Sequence, residues 1–337
     1  MLAYILRRLV VTIPILIAAT MFTFLLVDMS GDPLSELIFA IPPVPQSTID
    51  AVSKALYLDR STPERYWLWL TGIGDTNGDI GLIQGKWGPS VRGPNYQIGE
   101  QIAERFLITL RLVTVATVFS LGLAIITGVI SAVKQYSKVD HTLTFFGFFA
   151  LAMPTFWLAS WIKEAGVWVN LRFNITFFRT FGAQSPTHHR MEGWEAIWDN
   201  LTHLMLPTLA LMLTGYAALS RYQRASMLEV LNSDYIRLAR AKGLRNRVVM
   251  RRHALRTALI PVVTLGTLTV AAALTGAVIT ETIFGWRGLG TFFLEALRGR
   301  DAFAMMAFLV ISGFLVVIAN LVADLLYGVL DPRIRYD

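Results

Sequence analysis

Residues 221–260 decide how the rest of the chain is interpreted, and they read RYQRASMLEVLNSDYIRLARAKGLRNRVVMRRHALRTALI. Within residues 221–256 there are ten basic side chains against two acidic ones, Glu229 and Asp234. Apolar residues recur among these charges at helical spacing, which predicts helices and not a disordered basic tail. This loop holds ten of the 30 Lys and Arg residues behind the net charge of +7, so the basic balance alone does not indicate nucleic acid.

A short helix is predicted over residues 234–242 of this loop. Asn232 or Ser233 can cap its start, and Asp234 in the first turn interacts favourably with the helix dipole. Gly243 is suited to end the helix in the left-handed conformation. The helix is therefore expected to be short, capped and outside the membrane.

Two interpretations of the loop are open. A second helix from about Asn246, which leads into the next apolar segment, has the composition of a basic helix lying on anionic lipid. That interpretation suits the arginines but does not explain the small residues Ala239 and Ala241 before Gly243. A short capped helix of that build fits a groove on another protein.

Charge-free windows lie on both sides of the loop, and most are as long as the roughly 20 residues of a membrane helix. A soluble helix would show a charged face at a 3.6-residue period, and these windows show none. The 337 residues are 54% apolar and only 16% charged, with a mean hydropathy of +0.53. We therefore predict an all-α membrane protein with six spans, at residues 9–27, 112–133, 142–162, 204–220, 257–280 and 302–323.

The predicted organisation is a first span within residues 1–28, an extracytoplasmic segment at 29–105 and a five-helix core at 106–337. Both termini are expected on the cytoplasmic side, because the most basic loop is there. The first window is longer than the roughly 7–15 apolar residues of a signal peptide and no A-x-A site follows it, so an uncleaved helix is expected. Residues 29–105 are either an ordered subdomain or a long loop, and we favour partial order.

Motifs of catalysis are missing from the sequence. There is no G-x-x-x-x-G-K-[ST] phosphate loop, no H-E-x-x-H and no G-x-S-x-G. The absence of cysteine excludes thiol chemistry and Cys-bound metals. His188 and His189 with Glu192 lack zinc-site spacing, so neither a catalytic residue nor a metal site is predicted. The six windows hold no Asp, Glu, Lys or Arg, which argues against a secondary transporter working alone.

Several segments, in order along the chain, carry a resemblance to one family. They read ILRRLVVTIP at 5–14, GDP at 31–33, GDIG at 78–81, DYIRLARAKG at 234–243, RRHALRTALIP at 251–261, GAVITETIFGWRGLG at 276–290 and NLVADLLYGVLDPRIRY at 320–336. The chain resembles the integral-membrane permeases of ATP-binding-cassette (ABC) importers, most closely the dipeptide/oligopeptide type (DppB/OppB-like). Of that family's general EAA pattern, only Ala239 and Gly243 match, and residues 82–97 look like an insertion.

The resemblance implies the ABC type I importer permease fold and alternating access for peptides delivered by an extracytoplasmic substrate-binding protein. It implies a second permease subunit (DppC/OppC-like) and two ABC ATPase subunits (DppD/DppF-like) or one fused ATPase. All of these act at the lipid bilayer of the cytoplasmic membrane, with no nucleic acid. ATP and Mg are expected in the ATPase subunits, and no cofactor is expected in this chain.

Site residues follow from the same resemblance. The coupling helix is expected to dock on an ATPase through Asp234, Tyr235, Ala239, Ala241, Lys242 and Gly243. Residues 281–301 are expected to form an external scoop that contacts the binding protein through Glu281, Phe284, Trp286, Gly288 and Gly290. The alternative for that segment is a re-entrant turn anchored by Trp286. Small-residue spacing also predicts close helix packing at Gly128 and Gly276.

Other functions stay open at this stage. The same machinery would serve nickel, an opine or an oligosaccharide, because the binding protein selects the ligand in this class. A channel or secondary transporter is the second alternative, and a membrane enzyme, disfavoured by the missing motifs, is the third.

Overall fold

Helices dominate the structure, a computed structural model that describes residues 2–75 and 77–330. Two short strands, β1 (Ile80–Gly81) and β2 (Lys86–Trp87), pair antiparallel. The helices in chain order are α1 (Leu2–Met29), α2 (Ser35–Ile38), α3 (Gln46–Ala55), α4 (Thr62–Thr71), α5 (Ile98–Val133), α6 (Lys138–Ala152), α7 (Thr155–Phe173), α8 (Gly193–Leu231), α9 (Asp234–Ala241), α10 (Asn246–Val248), α11 (Leu255–Gly276), α12 (Val278–Phe284), α13 (Leu289–Arg298) and α14 (Ala302–Leu330).

Long apolar helices coincide with most of the predicted spans. Four helices in the described part of the chain are long and apolar enough to cross a membrane. The number of candidate spans is five if one bent pair of helices counts as a single span. The four are Val10–Met29, Ile98–Val133, Gly193–Leu231 and Ala302–Val322. The predicted fifth span overlaps α11, but α11 ends at Gly276 and Thr280 belongs to the separate helix α12.

The predicted third span is not one straight helix. α6 and α7 meet at an angle of 108°. Met153 between them has extended backbone (φ −76°, ψ 130°), because the residue before a proline is pushed out of the helical region. Pro154 directly precedes α7, which runs to Phe173, far beyond the predicted end at residue 162.

Two compact units make up the described chain. They are residues 109–286 with 318–330, and residues 2–108 with 287–317. In the first unit, Ala124 of α5, Leu219 of α8 and Val262 of α11 are buried together in one apolar cluster. The middle of this unit therefore consists of three long helices in direct contact.

Close approach between α5 and α8 depends on Gly128. A Cβ at this position would lie 2.7 Å from two side-chain carbons of Gln223 and 2.9 Å from the carbonyl oxygen of Ser220. Any larger residue would force the two helices apart. Gly276, the other glycine predicted to pack helices, is the last residue of α11, and its surroundings lie outside what the structure describes.

In the second unit, α4 packs on α1. Arg65 of α4 donates to the carboxylate of Asp28 at 2.7 Å, and its side chain is only 8% exposed. The hydroxyl of Tyr66 donates to the carbonyl of Ile17 at 2.9 Å, and Trp69 is fully buried. α4, in the middle of the segment after α1, is thus held to α1 by partly buried polar bonds.

Asp301 precedes α14 and is buried in the same unit. It accepts hydrogen bonds from the Ser90 hydroxyl at 2.5 Å, from the Ala304 N–H at 3.1 Å and from the Val91 N–H at 3.2 Å. Burial raises the pKa of this carboxyl, although the three hydrogen bonds oppose the shift. The carboxylate therefore caps α14 and holds residues 90–91 to its start.

We expect Asp301→Asn to change how stability depends on pH. Because the folded-state pKa is raised, the contribution of Asp301 is complete below the unfolded value of about 3.9 and is lost as pH rises through the folded pKa. The melting temperature of the native protein minus that of D301N should fall as the pH is raised from about 3.9 through the folded-state pKa. A difference that is independent of pH would contradict the prediction.

Candidate functional site

The helix predicted in the basic loop is α9. It begins after Ser233, which has extended backbone, and Gly243 follows it with φ of +77°. The predicted side-chain cap is absent: the Ser233 hydroxyl donates to the carbonyl of Val230, and the amide of Asn232 donates to the carbonyl of Leu228. The link between the two helices is so short that these side chains satisfy the orphan carbonyls of α8 instead.

One face of α9 is anchored in the first unit. Ile236 is fully buried and Ala239 is 6% exposed, and both belong to a single apolar cluster. The other buried members of that cluster are Ala132, Met227, Val230, Val249, Ala254 and Ala258. Three-residue spacing places Ile236 and Ala239 on one side of the helix, so Ala239 faces its own chain and not, as predicted, a partner.

The helix that leads into α11 starts with an unpredicted feature. Residues Val249–Ala254 form a π-helical turn, in which the hydrogen bonds are spaced by five residues. Val249 and Ala254 are five residues apart and are both buried against α9. This spacing places two apolar residues of a strongly basic stretch on the side that packs against α9, and it leaves Arg251 and Arg252 exposed.

The opposite face of α9 is exposed. Leu238 is 57% exposed and Tyr235 is 44% exposed, and Leu244, just after the helix, is 41% exposed. The other exposed residues of this stretch are Asp234, Arg237, Arg240, Ala241, Lys242 and Gly243. Apolar side chains presented among cations at the tip of an anchored helix are a surface that a partner protein can bind. Neither Ile236 nor Leu238 is among the predicted site residues, although two positions that are two residues apart lie on opposite sides of a helix.

The predicted scoop residues of the first unit are buried. Glu281 is 0% exposed, and Phe284 and Trp286 are each 1% exposed. The guanidinium carbon of Arg111 lies 5.2 Å from the centre of the Trp286 ring, and the Thr109 hydroxyl donates to Glu281 at 2.5 Å. In this structure these side chains pack inside their unit and do not form an external surface. A contact with a binding protein through Trp286 stays a prediction.

The remaining residues of that segment are also packed. Gly288 precedes α13 in the second unit, and Gly290 lies in its buried first turn. In the first unit, the ammonium group of Lys163 on α7 donates to the carbonyl of Ile283 at 2.7 Å. This bond gives a structural role to the charged residue that directly follows the predicted third span.

Comparisons with known proteins agree with this architecture. Residues 124–336 match the family described as binding-protein-dependent transport system inner membrane component, and residues 1–113 match the N-terminal part of such membrane components. Among solved structures, the chain is similar to the MetNI methionine ABC transporter in inward-facing conformations. The TM-score is 0.54 at 16% identity, over 69% of this chain and 97% of that one. This second likeness shows a common fold.

Sequence relatives are more similar. The chain is 36% identical over 334 residues to the oligopeptide transport system permease protein OppB of Mycobacterium bovis, with 98% of each chain covered. It is 37% identical over 337 residues to the oligopeptide transport system permease protein AppB of Bacillus subtilis, with 100% of each covered. It is 35% identical over 351 residues to the dipeptide transport system permease protein DppB of Escherichia coli, with 100% and 99% covered.

Proposed function

This chain belongs to the family of inner membrane components of binding-protein-dependent transport systems, and on that premise we propose that it forms part of the pathway for short peptides in an ATP-driven importer. The relatives named for oligopeptide and dipeptide transport match it over 98–100% of their length at 35–37% identity. The same machinery carrying nickel, an opine or an oligosaccharide remains the alternative. Uptake of labelled peptides by the reconstituted transporter, with each other ligand class as competitor, tests the substrate class.

The proposed complex contains partners that this chain requires for energy and substrate. A second permease completes the pathway, an external binding protein delivers the peptide, and two ATPase subunits, or one fused ATPase, use ATP and Mg. Both termini of this chain lie on the cytoplasmic side, so that α9 faces the ATPase. The ten basic residues of the loop at 221–256 support this orientation.

α9 is proposed as the element that docks on the ATPase. The observation that carries the proposal is its division into two faces: Ile236 is fully buried in its own unit, whereas Leu238 is 57% exposed. A helix anchored on one side transmits a displacement of its exposed side to α5, α8 and α11, because all three contribute to the buried cluster. A loosely attached basic helix on lipid would not need such an anchor.

A single cysteine at Leu238 should crosslink to an ATPase subunit in the assembled transporter. The chain has no cysteine of its own, so each introduced thiol is unique in this subunit. Gln135→Cys provides the control, because Gln135 is also exposed and lies in the turn between α5 and α6 on the same proposed side of the membrane. Equal crosslinking of both positions, or crosslinking of neither, would contradict the proposal that α9 docks on the ATPase.

A further inference from the structure

Asp140 and Arg224 form an ion pair outside α9, in which the carboxylate is buried and the arginine is half-buried. Arg224 of α8 donates from Nε to one carboxylate oxygen of Asp140 and from a terminal nitrogen to the other, each at 2.9 Å. Ser131 of α5 donates to the same carboxylate and accepts from Arg224 Nε at 3.0 Å. The carboxylate is only 5% exposed. Two parallel hydrogen bonds of this kind fix both distance and orientation.

The turn between α5 and α6 holds the carboxylate in place. The Tyr136 N–H donates to Asp140 at 2.9 Å, and the Ser137 hydroxyl caps α6 by accepting from the Asp140 N–H at 3.2 Å. Because backbone groups set the position of Asp140, Arg224 meets a preformed acceptor. The pair therefore joins the first turn of α6 to the side of α8.

Both partners of Asp140 lie next to the cluster that anchors α9. Arg224 is one helical turn before Met227 on α8, and Ser131 precedes Ala132 on α5. Met227 and Ala132 are buried members of that cluster. In the described part of the chain, the residues of the cluster come from α5, α8, α9, the π-helical turn and α11. α6 is thus connected to this assembly by polar bonds and not through its apolar cluster.

A cavity lies beside the ion pair. It has a volume of about 170 Å³ and lies between α5, α6 and α8, with Gly128, Gly147 and Ser220 in its wall. Gly147 of α6 faces Ser220 of α8 here, and a Cβ built on Gly147 would be in ordinary van der Waals contact, 3.7 Å from the Ser220 hydroxyl. Asp140 holds the end of α6 that precedes the cavity.

We propose that Asp140 and Arg224 are positioning residues for energy coupling. They make α6, and the bend between α6 and α7, follow the displacement that the ATPase imposes on α9 and α8. The inference rests on the proposed docking of α9. It assigns a role to two charged residues that lie outside the coupling helix.

The test compares peptide uptake with ATP hydrolysis in the fully assembled transporter, reconstituted with its binding protein. Asp140→Asn should keep the ATPase bound but reduce peptide transported per ATP hydrolysed by about tenfold. Arg224→Lys keeps the charge but loses the two-pronged geometry, so it should give a smaller loss. Arg179→Lys is the matched control, because Arg179 is an exposed arginine of the same unit that lies on neither α6 nor α8, and it should leave the ratio unchanged.

Each outcome of this experiment supports or overturns the inference. If the pair is merely structural, each of the two variants lowers peptide uptake and ATP hydrolysis together and leaves their ratio unchanged. That result overturns the inference. Crosslinking from Leu238→Cys, measured in parallel, separates the two proposals. If the crosslink forms and the ratio of D140N is native, only the role of the ion pair fails. If the crosslink never forms, the docking of α9 fails and the inference fails with it.

Discussion

Gly243→Val should leave the protein inserted in the membrane but lower peptide uptake by about tenfold. Gly243 has φ of +77°, and no atom lies within 4 Å of a Cβ built on it. The cost of the substitution therefore comes from the backbone, at about 1–2 kcal/mol for an L-residue and more for a β-branched one. The chain relieves this strain by rotating the exit of α9, which moves Lys242 and Leu244 relative to the buried Ile236.

Two control variants separate coupling from general strain. Gly243→Asn should retain most of the uptake, because asparagine tolerates the left-handed conformation. Gly193→Val introduces the same kind of strain at the far end of α8, where φ is +54° and a Cβ again meets nothing within 4 Å. It should leave the ratio of uptake to ATP hydrolysis native. Native uptake by G243V would refute the proposed role of this turn.

Most of the architecture could be predicted because lipid imposes a simple rule on composition. Charge-free windows located α1, α5, α8 and α14, since a helix crossing a bilayer must be apolar on every side. The same rule gives no information on the direction of a helix axis, so it did not predict the bend of 108° at Met153 and Pro154. A proline in an apolar window is compatible with a kink or a break, and packing against other helices decides between them.

The position of the coupling helix α9 could be predicted, but not which of its faces is buried. Helical spacing and Gly243 located α9 to within one residue of its observed end. Which side is buried depends on the π-helical turn, because Val249 and Ala254 reach α9 only with a five-residue spacing. Such a turn has no composition signal of its own. For that reason Ala239 was assigned to the partner and Ile236 was overlooked.

Long-range pairs were the least predictable part. Arg111 lies directly before the second predicted span, and Asp140 lies two residues before the third. In the structure, Arg111 lies over Trp286, and Asp140 binds Arg224 across 84 residues of sequence. A single sequence shows neither partner, and Phe284 and Trp286, around the end of α12, were therefore interpreted as an exposed contact surface.

Trp286→Ala should strongly destabilise the protein, by about 3–5 kcal/mol as for other buried large side chains. Trp286 is 1% exposed and lies under the guanidinium of Arg111. Its removal leaves a cavity and takes away a cation–π partner. Trp286→Phe should recover part of the loss, because it keeps an aromatic ring below Arg111. The melting temperature of the purified complex measures both effects.

Trp194→Ala provides the matched comparison, because Trp194 is 70% exposed in the same unit and its truncation should change the melting temperature little. The two roles considered for Trp286 now predict different results. A buried anchor predicts a large drop in melting temperature for W286A even without the binding protein. An external contact predicts a native melting temperature with a weakened response of ATP hydrolysis to the binding protein. The burial of Trp286 favours the first result, and observation of the second would require the segment after α12 to leave its pocket during transport.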